Sequence, residues 1–235
     1  MSTHGSGLGE RADFRREDFR EILRLVRPAS RVLEIGCGEG ALLELLAREK
    51  AVDGRGLEIS PEGVSACLAR GLAVVQGDAD RDLADYPTGA FDYAVLSQTL
   101  QQMRDPKAVL AELLRIAERA VVSLPNFGHW RVRWWLLTRG RMPVTEELPE
   151  PWWSTPNIHL CTLRDFTDLC ADLGVRIEAC AALASGRPAR AIDPARPIEN
   201  WRAEQALFLI SKPGAAGKPA IRGPADENDL FGRAS

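Results

Sequence analysis

The stretch Val32–Gly40, with the sequence VLEIGCGEG, decides the fold of this chain. A short apolar strand runs into a turn that contains three glycines, and a helix-forming segment, residues 41–48, follows at once. Glycines are needed where the turn is tight and a ligand must approach bare backbone. The free N–H groups and the positive dipole end of the following helix would point at that ligand. The stretch therefore predicts a nucleotide-type cofactor site.

The three glycines do not by themselves identify the cofactor. Gly36, Gly38 and Ala41 also match the G-x-G-x-x-G/A pattern of dinucleotide-binding proteins, so this pattern leaves an NAD site open. A second strand-like segment carries an acidic residue, Glu58, which follows Gly40 by 18 positions. Its carboxylate can accept hydrogen bonds from both hydroxyls of a ribose. The choice of cofactor thus depends on the residues around the turn.

Further acidic residues lie at the neighbouring strand-like segments. A third segment, residues 72–80, contains Asp78, which is suited to accept a hydrogen bond from an adenine amino group. A fourth strand is predicted at residues 91–97, and Glu34 precedes the first glycine in the pattern E-x-G-x-G-x-G. One such acid could be an ordinary strand-end residue that caps a loop. Three acids at these positions favour a binding site.

This ordered set resembles the class I S-adenosylmethionine (SAM) methyltransferases over roughly residues 30–124. SAM carries a cationic sulfonium and an ammonium group, so an acidic pocket suits it better than it suits the pyrophosphate of a dinucleotide. The resemblance implies that the cofactor is SAM or S-adenosylhomocysteine. The candidate cofactor-binding residues are Glu34, Gly36, Cys37, Gly38, Gly40, Glu58, Ile59, Asp78, Ala79 and Ser97.

Composition narrows the class of protein. The chain has 235 residues, enough for one α/β domain with a full core, and 45% of them are hydrophobic. A net charge of −3 argues against a protein that holds nucleic acid by its phosphates. No apolar run approaches the roughly 20 residues that cross a bilayer, and residues 1–10 do not resemble a secretion signal. Five cysteines without C-x-x-C spacing predict reduced, packed thiols in the cytoplasm and no metal site.

The alternation of strand-like and helix-like segments predicts a doubly wound, mostly parallel, seven-stranded α/β sheet of the Rossmann-like methyltransferase type. Its last three strands are expected at residues 119–124, 175–183 and 205–211, with a long loop at residues 184–202. We expect a single SAM-binding domain over residues 13–212 and a Trp/Arg-rich insert over residues 125–161. We expect disorder over residues 1–12 and in the tail, residues 213–235.

The insert is unusual because five of the six tryptophans fall between residues 130 and 153, with arginines interleaved. Tryptophan and arginine are frequent interface hot spots, and arginine grips carboxylates. The segment could form a lid, a pocket for an acidic substrate or a docking surface for a partner protein. Alternatively, it is a helix whose aromatic face, with Trp130 and Trp134 four positions apart, covers the core.

Two histidines near this segment are further candidates. Either His129 or His159 could be a general base if a substrate came within reach, or it could make a structural hydrogen bond. Neither has the cysteine or carboxylate neighbours of a zinc site. The candidate partner- or substrate-binding residues are His129, Trp130, Arg131, Arg133, Trp134, Trp135, Arg141 and His159.

Longer blocks of sequence support a more specific resemblance. The blocks are GLEI (56–59), LSQTLQ (96–101), SLPNFGHWRVR (123–133), RGRMPVT (139–145) and TPNIHLC (155–161). Together they resemble the MetW family of bacterial methionine-biosynthesis proteins over roughly residues 30–183, with a weaker similarity at residues 203–209. The resemblance implies a class I SAM-binding fold that works beside a homoserine O-acetyl- or O-succinyltransferase.

The motifs leave two functions open. The chain lacks the G-x-S-x-G elbow expected of the acyltransferase itself and the G-x-x-x-x-G-K-[ST] loop of a P-loop ATPase. In the first hypothesis the protein binds SAM and activates or stabilises a homoserine acyltransferase through the Trp/Arg-rich insert. In the second it is a SAM-dependent methyltransferase acting on a small molecule, which would require positioning of the substrate but no fixed catalytic residue.

Overall fold

The computed structural model describes residues 18–145, 150–184 and 186–213. The expected disorder of residues 1–12, and of all but the first residue of the tail 213–235, lies outside these described residues. The described part of the chain contains no helix that is long and apolar enough to cross a membrane.

Within the described residues, eight strands form one sheet in the order β3-β2-β1-β4-β5-β8-β6-β7. Strands β1 to β5 run parallel, β8 is antiparallel to both of its neighbours, and β7 is antiparallel to β6. This confirms the doubly wound, mostly parallel sheet, with eight strands instead of seven. The strands are β1 Arg31–Ile35, β2 Asp53–Glu58, β3 Ala73–Gln76, β4 Phe91–Ser97, β5 Ala117–Pro125, β6 Arg176–Ala184, β7 Arg187–Ala191 and β8 Gln205–Ser211.

Several of the helices begin after an N-cap residue whose side chain accepts a backbone hydrogen bond. The Ser60 hydroxyl accepts a hydrogen bond from the Gly63 amide at 3.2 Å, and the Asp105 carboxylate accepts one from Ala108 at 3.0 Å. Thr162 begins its helix with a complete capping box. The helices are α1 at residues 18–25, α2 Ala41–Lys50, α3 Pro61–Ala69, α4 Ala79–Asp82, α5 Pro106–Ile116, α6 Trp130–Arg139, α7 Leu163–Asp172 and α8 Pro197–Arg202.

The prediction of a long loop at residues 184–202 is wrong, because this stretch contains β7 and α8. Strand β7 forms a hairpin with β6 at the edge of the sheet, and most of its side chains are exposed. An exposed edge strand has no apolar alternation, and it tolerates Pro188 because one side of its backbone needs no hydrogen bond. Arg190 of this strand pairs with Glu199 of α8 at 3.1 Å. The elements are therefore held by contacts that apolar periodicity does not reveal.

Helices cover both faces of the sheet. Helices α5 and α7 pack on one face, where the rings of Phe166 and Phe208 lie 4.5 Å apart. Helices α1 and α2 pack on the other face, and α1 is anchored there by the buried side chains of Ile22 and Val26. Since parallel strands end at the same edge of a sheet, the carboxyl ends of β1 to β5 meet there, and ligands of doubly wound folds bind at such an edge.

Candidate cofactor cleft and aromatic surface

The glycine turn after β1 has a left-handed backbone at each of its three glycines, with φ values of +68°, +54° and +78° at Gly36, Gly38 and Gly40. A Cβ atom on Gly36 would lie 2.8 Å from the Thr99 side chain. A Cβ atom on Gly40 would lie 2.4 Å from Leu72. Gly38 faces open space, so it is the glycine whose bare backbone a ligand can approach.

The Glu58 carboxylate fixes this turn to the end of β2. Its Oε2 accepts a hydrogen bond from the Gly38 amide at 2.7 Å, and its Oε1 accepts one from the Ser60 amide at 2.8 Å. A carboxylate has about four acceptor sites, so each oxygen can accept another hydrogen bond. Glu58 can therefore hold the turn and still receive hydroxyl donors from a ligand.

Two buried carboxylates, Asp18 of α1 and Glu34 of β1, lie at this edge of the sheet, with exposed fractions of 1% and 4%. Asp18 Oδ2 accepts hydrogen bonds from the hydroxyls of Ser97, at the end of β4, and of Ser123, on β5. Within the described part of the chain, Asp18 Oδ1 and Glu34 Oε2 are buried without a hydrogen-bond partner. Oxygens of this kind suit a cationic group of a ligand.

Burial raises the pKa of both acids. Desolvation raises the pKa of Asp18 to about 6, although the hydrogen bonds from Ser97 and Ser123 act against it. Desolvation also raises the pKa of Glu34 well above its usual range, and the negative charges of Asp18 and Glu58 raise it further. The Leu43 amide acts in the opposite direction on Glu34. Burial therefore favours the protonated form of both acids in the ligand-free site.

A cleft of about 640 Å³ opens at the carboxyl ends of β1 to β4, a size typical of small-molecule sites. Gly40 is not among the residues that line it, because it is the N-cap of α2 and packs against Leu72 and Cys67. Nine of the ten candidate cofactor-binding residues do line it, namely Glu34, Gly36, Cys37, Gly38, Glu58, Ile59, Asp78, Ala79 and Ser97.

The far end of the cleft is organised by two aspartates. Asp78 begins α4 by accepting a hydrogen bond from the Asp80 amide at 3.0 Å. Asp80 in turn accepts from the backbone amides of Arg104, at 3.0 Å, and Asp105, at 3.2 Å. Asp78 therefore lines the cleft from a fixed position, while Asp80 ties the segment that precedes α5 to it.

Several residues that line the cleft are not among the candidates predicted from the sequence. Phe19 of α1 lines it, and its neighbour Asp18 contacts Ser97, although no motif marks this helix. Gln98 has a positive φ of +52°, a conformation that is strained for a residue with a side chain and common at functional sites. The other unanticipated lining residues are Ile35, Glu39, Ala41, Leu57, Gly77, Asp80, Thr99, Gln102, Met103, Arg104 and Ile158.

Helix α6 turns its tryptophans outward. Trp130 is 42% exposed and Trp134 is 62% exposed, whereas Val132 is the buried residue of this helix. The interpretation of α6 as a helix whose aromatic face covers the core is therefore wrong. From the described part of the insert, Ile158 alone lines the cofactor cleft, and none of the eight partner or substrate candidates does.

A second groove, of about 580 Å³, lies along α6. Arg139 lies 4.1 Å above the ring centre of Trp135, and Arg131 lies 5.7 Å from that of Trp130, so cations are stacked on the rings. The groove along α6 and the cofactor cleft have no lining residue in common. The lining residues are Trp130, Arg131, Trp134, Trp135, Thr138, Arg139, Val144 and Thr145.

The remaining candidates occupy structural or exposed positions. His129 is the buried N-cap residue of α6, and its ring centre lies 5.8 Å from that of Trp130. His159 is exposed, with Nε2 at 3.4 Å from the Arg104 carbonyl oxygen. Arg133 donates a hydrogen bond to the Gly128 carbonyl, and its guanidinium lies 5.8 Å from the ring centre of Trp201. Arg141 is exposed.

The buried Asn126 joins this region to the rest of the domain, which the sequence did not indicate. Its Nδ2 donates to the carbonyl oxygens of Asn200 and Ala203 at 2.9 and 2.8 Å. Its Oδ1 accepts from the amides of Gly128 and Leu163 at 2.9 and 3.3 Å. One side chain thus connects the start of the insert, α7 and α8.

Known proteins resemble this chain over much of its length. The family model described as methionine biosynthesis protein MetW matches residues 16–210. The bifunctional methionine biosynthesis protein MetXA/MetW of Rhodopirellula baltica is 32% identical over 170 residues, which are 68% of this chain and 27% of that protein. The ajmaline N-methyltransferase of Rauvolfia serpentina is 26% identical over 155 residues, which are 62% of this chain and 52% of that protein. The chain therefore spans about a quarter to a half of these relatives' own length.

Solved structures share the fold. A SAM-dependent methyltransferase from Thermotoga maritima, described as a possible histamine N-methyltransferase, superposes with a TM-score of 0.64. The match covers 88% of this chain and 92% of that one, at 18% sequence identity. The fold is that of the class I SAM-dependent methyltransferases.

Proposed function

This chain belongs to the MetW family, and we propose that it binds SAM in the cofactor cleft and acts as an accessory protein of a homoserine O-acyltransferase. The observation that carries the cofactor assignment is the set of acids at the cleft, in which Asp18 and Glu34 each keep a buried oxygen without a partner among the described residues. All five cysteines are free, which agrees with a cytoplasmic location for the protein.

The residues at the cleft fit the chemistry of SAM. The backbone at Gly38 lets the cofactor come close, Glu58 would accept hydrogen bonds from the ribose, and Asp78 would accept one from the adenine amino group. Glu34, on the adjacent strand β1, would face the positively charged amino-acid end of SAM. SAM supplies an electrophilic methyl group when a nucleophile is placed in line with its sulfonium.

The partner is inferred from the relatives and from the surface. The Rhodopirellula protein carries the names MetXA and MetW for one bifunctional chain, which supports a partnership between a MetW-type protein and a homoserine O-acetyl- or O-succinyltransferase. The exposed tryptophans and arginines of α6 have the composition of interface hot spots. We therefore assign the groove along α6 to the acyltransferase interface.

An effect of SAM on the partner would follow from linkage. SAM can alter the acyltransferase only if it binds the free protein and the complex with different affinities. Since methionine is the precursor of SAM, such a difference would report the status of the pathway. Ile158, which belongs to the insert and also lines the cleft, is the residue through which the two regions are connected.

The interface proposal is tested by replacing Trp134 and Trp135 together with alanine. Because these side chains lie outside the core and outside the cleft, the variant should fold and bind SAM like the wild type. It should lose complex formation with the same organism's homoserine acyltransferase by about tenfold or more in Kd, as measured by analytical ultracentrifugation. Leu68→Ala, which removes an exposed apolar side chain from α3, is the matched control. Unchanged binding by the double variant would remove α6 from the interface.

A methyltransferase acting on a small molecule is the alternative function. It is favoured by the similarity to the ajmaline N-methyltransferase and by a cleft that extends past the end of β4 to Gln102 and Met103. It predicts that S-adenosylhomocysteine accumulates when the protein is incubated with SAM and a metabolite extract of the same organism. No accumulation above that of the Glu58→Gln variant would argue against this function.

A further inference from the structure

We propose that Asp18 is a second acidic residue of the amino-acid end of the cofactor cleft, and that the ammonium group of a bound cofactor displaces a proton that this acidic pair, Asp18 and Glu34, holds in the free protein. The inference rests on the proposed SAM site and deepens it, because it states how pH controls occupation of that site. The displaced proton passes to the solvent.

Asp18 lies directly behind this end of the cleft: it is not itself a lining residue, but its neighbour Phe19 and its hydrogen-bond partner Ser97 are. Glu58 ends β2, Glu34 lies on the adjacent β1, and β4 follows with Ser97 at its carboxyl end. A cofactor whose ribose lies on Glu58 and whose base lies towards Asp78 therefore extends its other end across β1 towards β4. Asp18 accepts the hydrogen bond of the Ser97 hydroxyl at that point.

Anchoring of α1 does not account for a carboxylate at position 18. Both serine hydroxyls bind the same oxygen, Oδ2, and the apolar side chains of Ile22 and Val26 already hold the helix on the sheet. The other oxygen, Oδ1, is buried without a partner among the described residues, and burying such an atom costs free energy. Glu34 Oε2 is unpaired in the same way, and an ammonium group from a ligand is the kind of donor that such buried carboxylate oxygens lack.

Among the described residues, the groups that act on the two acids are neutral or acidic. Asp18 faces the hydroxyls of Ser97 and Ser123. Glu34 faces Asp18 from α1, the Glu58 carboxylate from β2, the Leu43 amide from α2 and, in the glycine turn, the Cys37 thiol, whose own pKa is raised by burial. This environment favours the protonated forms in the free protein, so a cation that binds beside the acids releases a proton.

The direction of the pH effect follows from this arrangement. At low pH the acids are protonated and the ammonium must displace a proton, so SAM binds more weakly. As the pH rises through the pKa of Asp18, about 6, Asp18 is ionised beforehand and the affinity increases. Release of one proton corresponds to about a tenfold increase in affinity per pH unit. We expect this change in SAM affinity between pH 5 and 7, below the range in which an α-amino group itself titrates, about 7.7–8.0.

The test is calorimetric titration of the full-length protein with SAM and with 5′-methylthioadenosine, which keeps the adenosine but lacks the amino-acid end. Titration at pH 5.5 in two buffers of different ionisation enthalpy gives the number of protons released. We expect about one proton for SAM and none for methylthioadenosine. Asp18→Asn should lower the SAM affinity at pH 7 by about tenfold or more, should reduce the proton release, and should leave the affinity for methylthioadenosine unchanged. Glu21→Gln, on the same helix, should behave as the wild type.

A second variant tests the ionisation of Asp18 without replacing Asp18 itself. Ser123→Ala keeps the Asp18 carboxylate but removes one hydrogen bond that stabilises its ionised form, so the pH at which SAM affinity levels off should move upward. The inference is overturned if Asp18→Asn folds and retains the wild-type affinity and proton release for SAM. A wild-type protein that binds neither ligand would overturn the cofactor site itself, and the inference with it.

Discussion

At the scale of single residues, the three glycines of the turn share a positive φ but differ in what surrounds them. Replacing Gly40 by alanine adds a Cβ atom 2.4 Å from Leu72 and 2.9 Å from the Cys67 sulfur, whereas a Cβ atom on Gly38 meets open space. The left-handed backbone alone costs an alanine about 1–2 kcal/mol. Overpacking should add about 1–3 kcal/mol at Gly40.

We therefore expect Gly40→Ala to reduce the free energy of unfolding more than Gly38→Ala, as measured by urea denaturation. For SAM binding the expected order is reversed, because Gly38 faces the cleft and Gly40 does not. Equal losses of stability in the two variants would contradict the contacts that the structure assigns to Gly40.

Glu58→Gln tests the ribose site. The amide can accept hydrogen bonds at one of its two terminal atoms only, so it cannot hold the amides of Gly38 and Ser60 together and also receive both ribose hydroxyls. We expect SAM affinity to fall by about 1–3 kcal/mol, the cost of an unmet buried polar group, as measured by calorimetry. Glu49→Gln, on the exposed side of α2, is the control. Wild-type affinity in Glu58→Gln would remove Glu58 from the site.

Asp18 also affects the stability of the ligand-free protein. Its pKa is about 6 in the folded state against an ordinary value of 3.8, so the folded state binds more protons and stability falls as the pH rises from about 4 to about 6. Asp18→Asn removes this loss. At pH 7.5 the variant should be more stable than the wild type by up to about 3 kcal/mol in urea denaturation, and the difference should shrink towards pH 4. A variant that is less stable than the wild type at pH 7.5 would show that the charge of Asp18 stabilises the fold.

At the scale of elements, Asn126 is the junction between the insert and helices α7 and α8. Asn126→Ala leaves two backbone carbonyls and the Gly128 amide without their side-chain partner in a buried environment. The Leu163 amide keeps its hydrogen bond to Asn200 Oδ1 at 3.1 Å. We expect a loss of about 2–4 kcal/mol in the free energy of unfolding, measured by urea denaturation. Asn157→Ala, in a half-buried position of the same insert, should change it by less than about 1 kcal/mol. Similar losses in the free energy of unfolding for the two variants would contradict the role of Asn126 as this junction.

The elements that the sequence predicted are those with local signals. Strand β4 occupies the predicted residues 91–97. Helices α3, α5 and α7 begin after Ser60, Asp105 and Thr162, residue types that favour the N-cap position, because N-cap chemistry and apolar runs are properties of neighbouring residues. Strand β7 has most of its side chains exposed at an edge, so its residues carry no apolar alternation. Its presence depends on pairing with β6, which is a tertiary effect.

The residues of the cofactor site also divide into those with local sequence signals and those placed by tertiary contacts. The glycine turn and Glu58 are recognisable because their spacing follows from a strand, a turn and a helix in succession. Asp18 reaches Ser123 across 105 positions of sequence, and the positive φ of Gln98 arises from bonds to Ser123 and to the residues that follow it. Contacts between such distant positions leave no periodic pattern in one sequence. The cofactor site was therefore predictable in outline, but its contribution from α1 was not.

At the scale of the whole molecule, the cofactor cleft and the groove along α6 are separate surfaces. They share no lining residue, but the insert that contains α6 returns to the cleft at Ile158. The backbone amides of Ile158 and His159 both donate to the Gln101 carbonyl at 3.0 Å, in the segment that follows β4. A ligand in the cleft therefore contacts the same segment that leads to the exposed tryptophans, which is what a cofactor-dependent interaction with a partner requires.

The accessory role is tested by the turnover of the same organism's homoserine O-acyltransferase with and without this protein, each with and without SAM. We predict that kcat rises when the protein is added in equimolar amount, that SAM changes the size of the rise, and that the Trp134→Ala, Trp135→Ala double variant produces no rise. Unchanged turnover, at concentrations where calorimetry shows that SAM is bound, would contradict the accessory role and favour a methyltransferase.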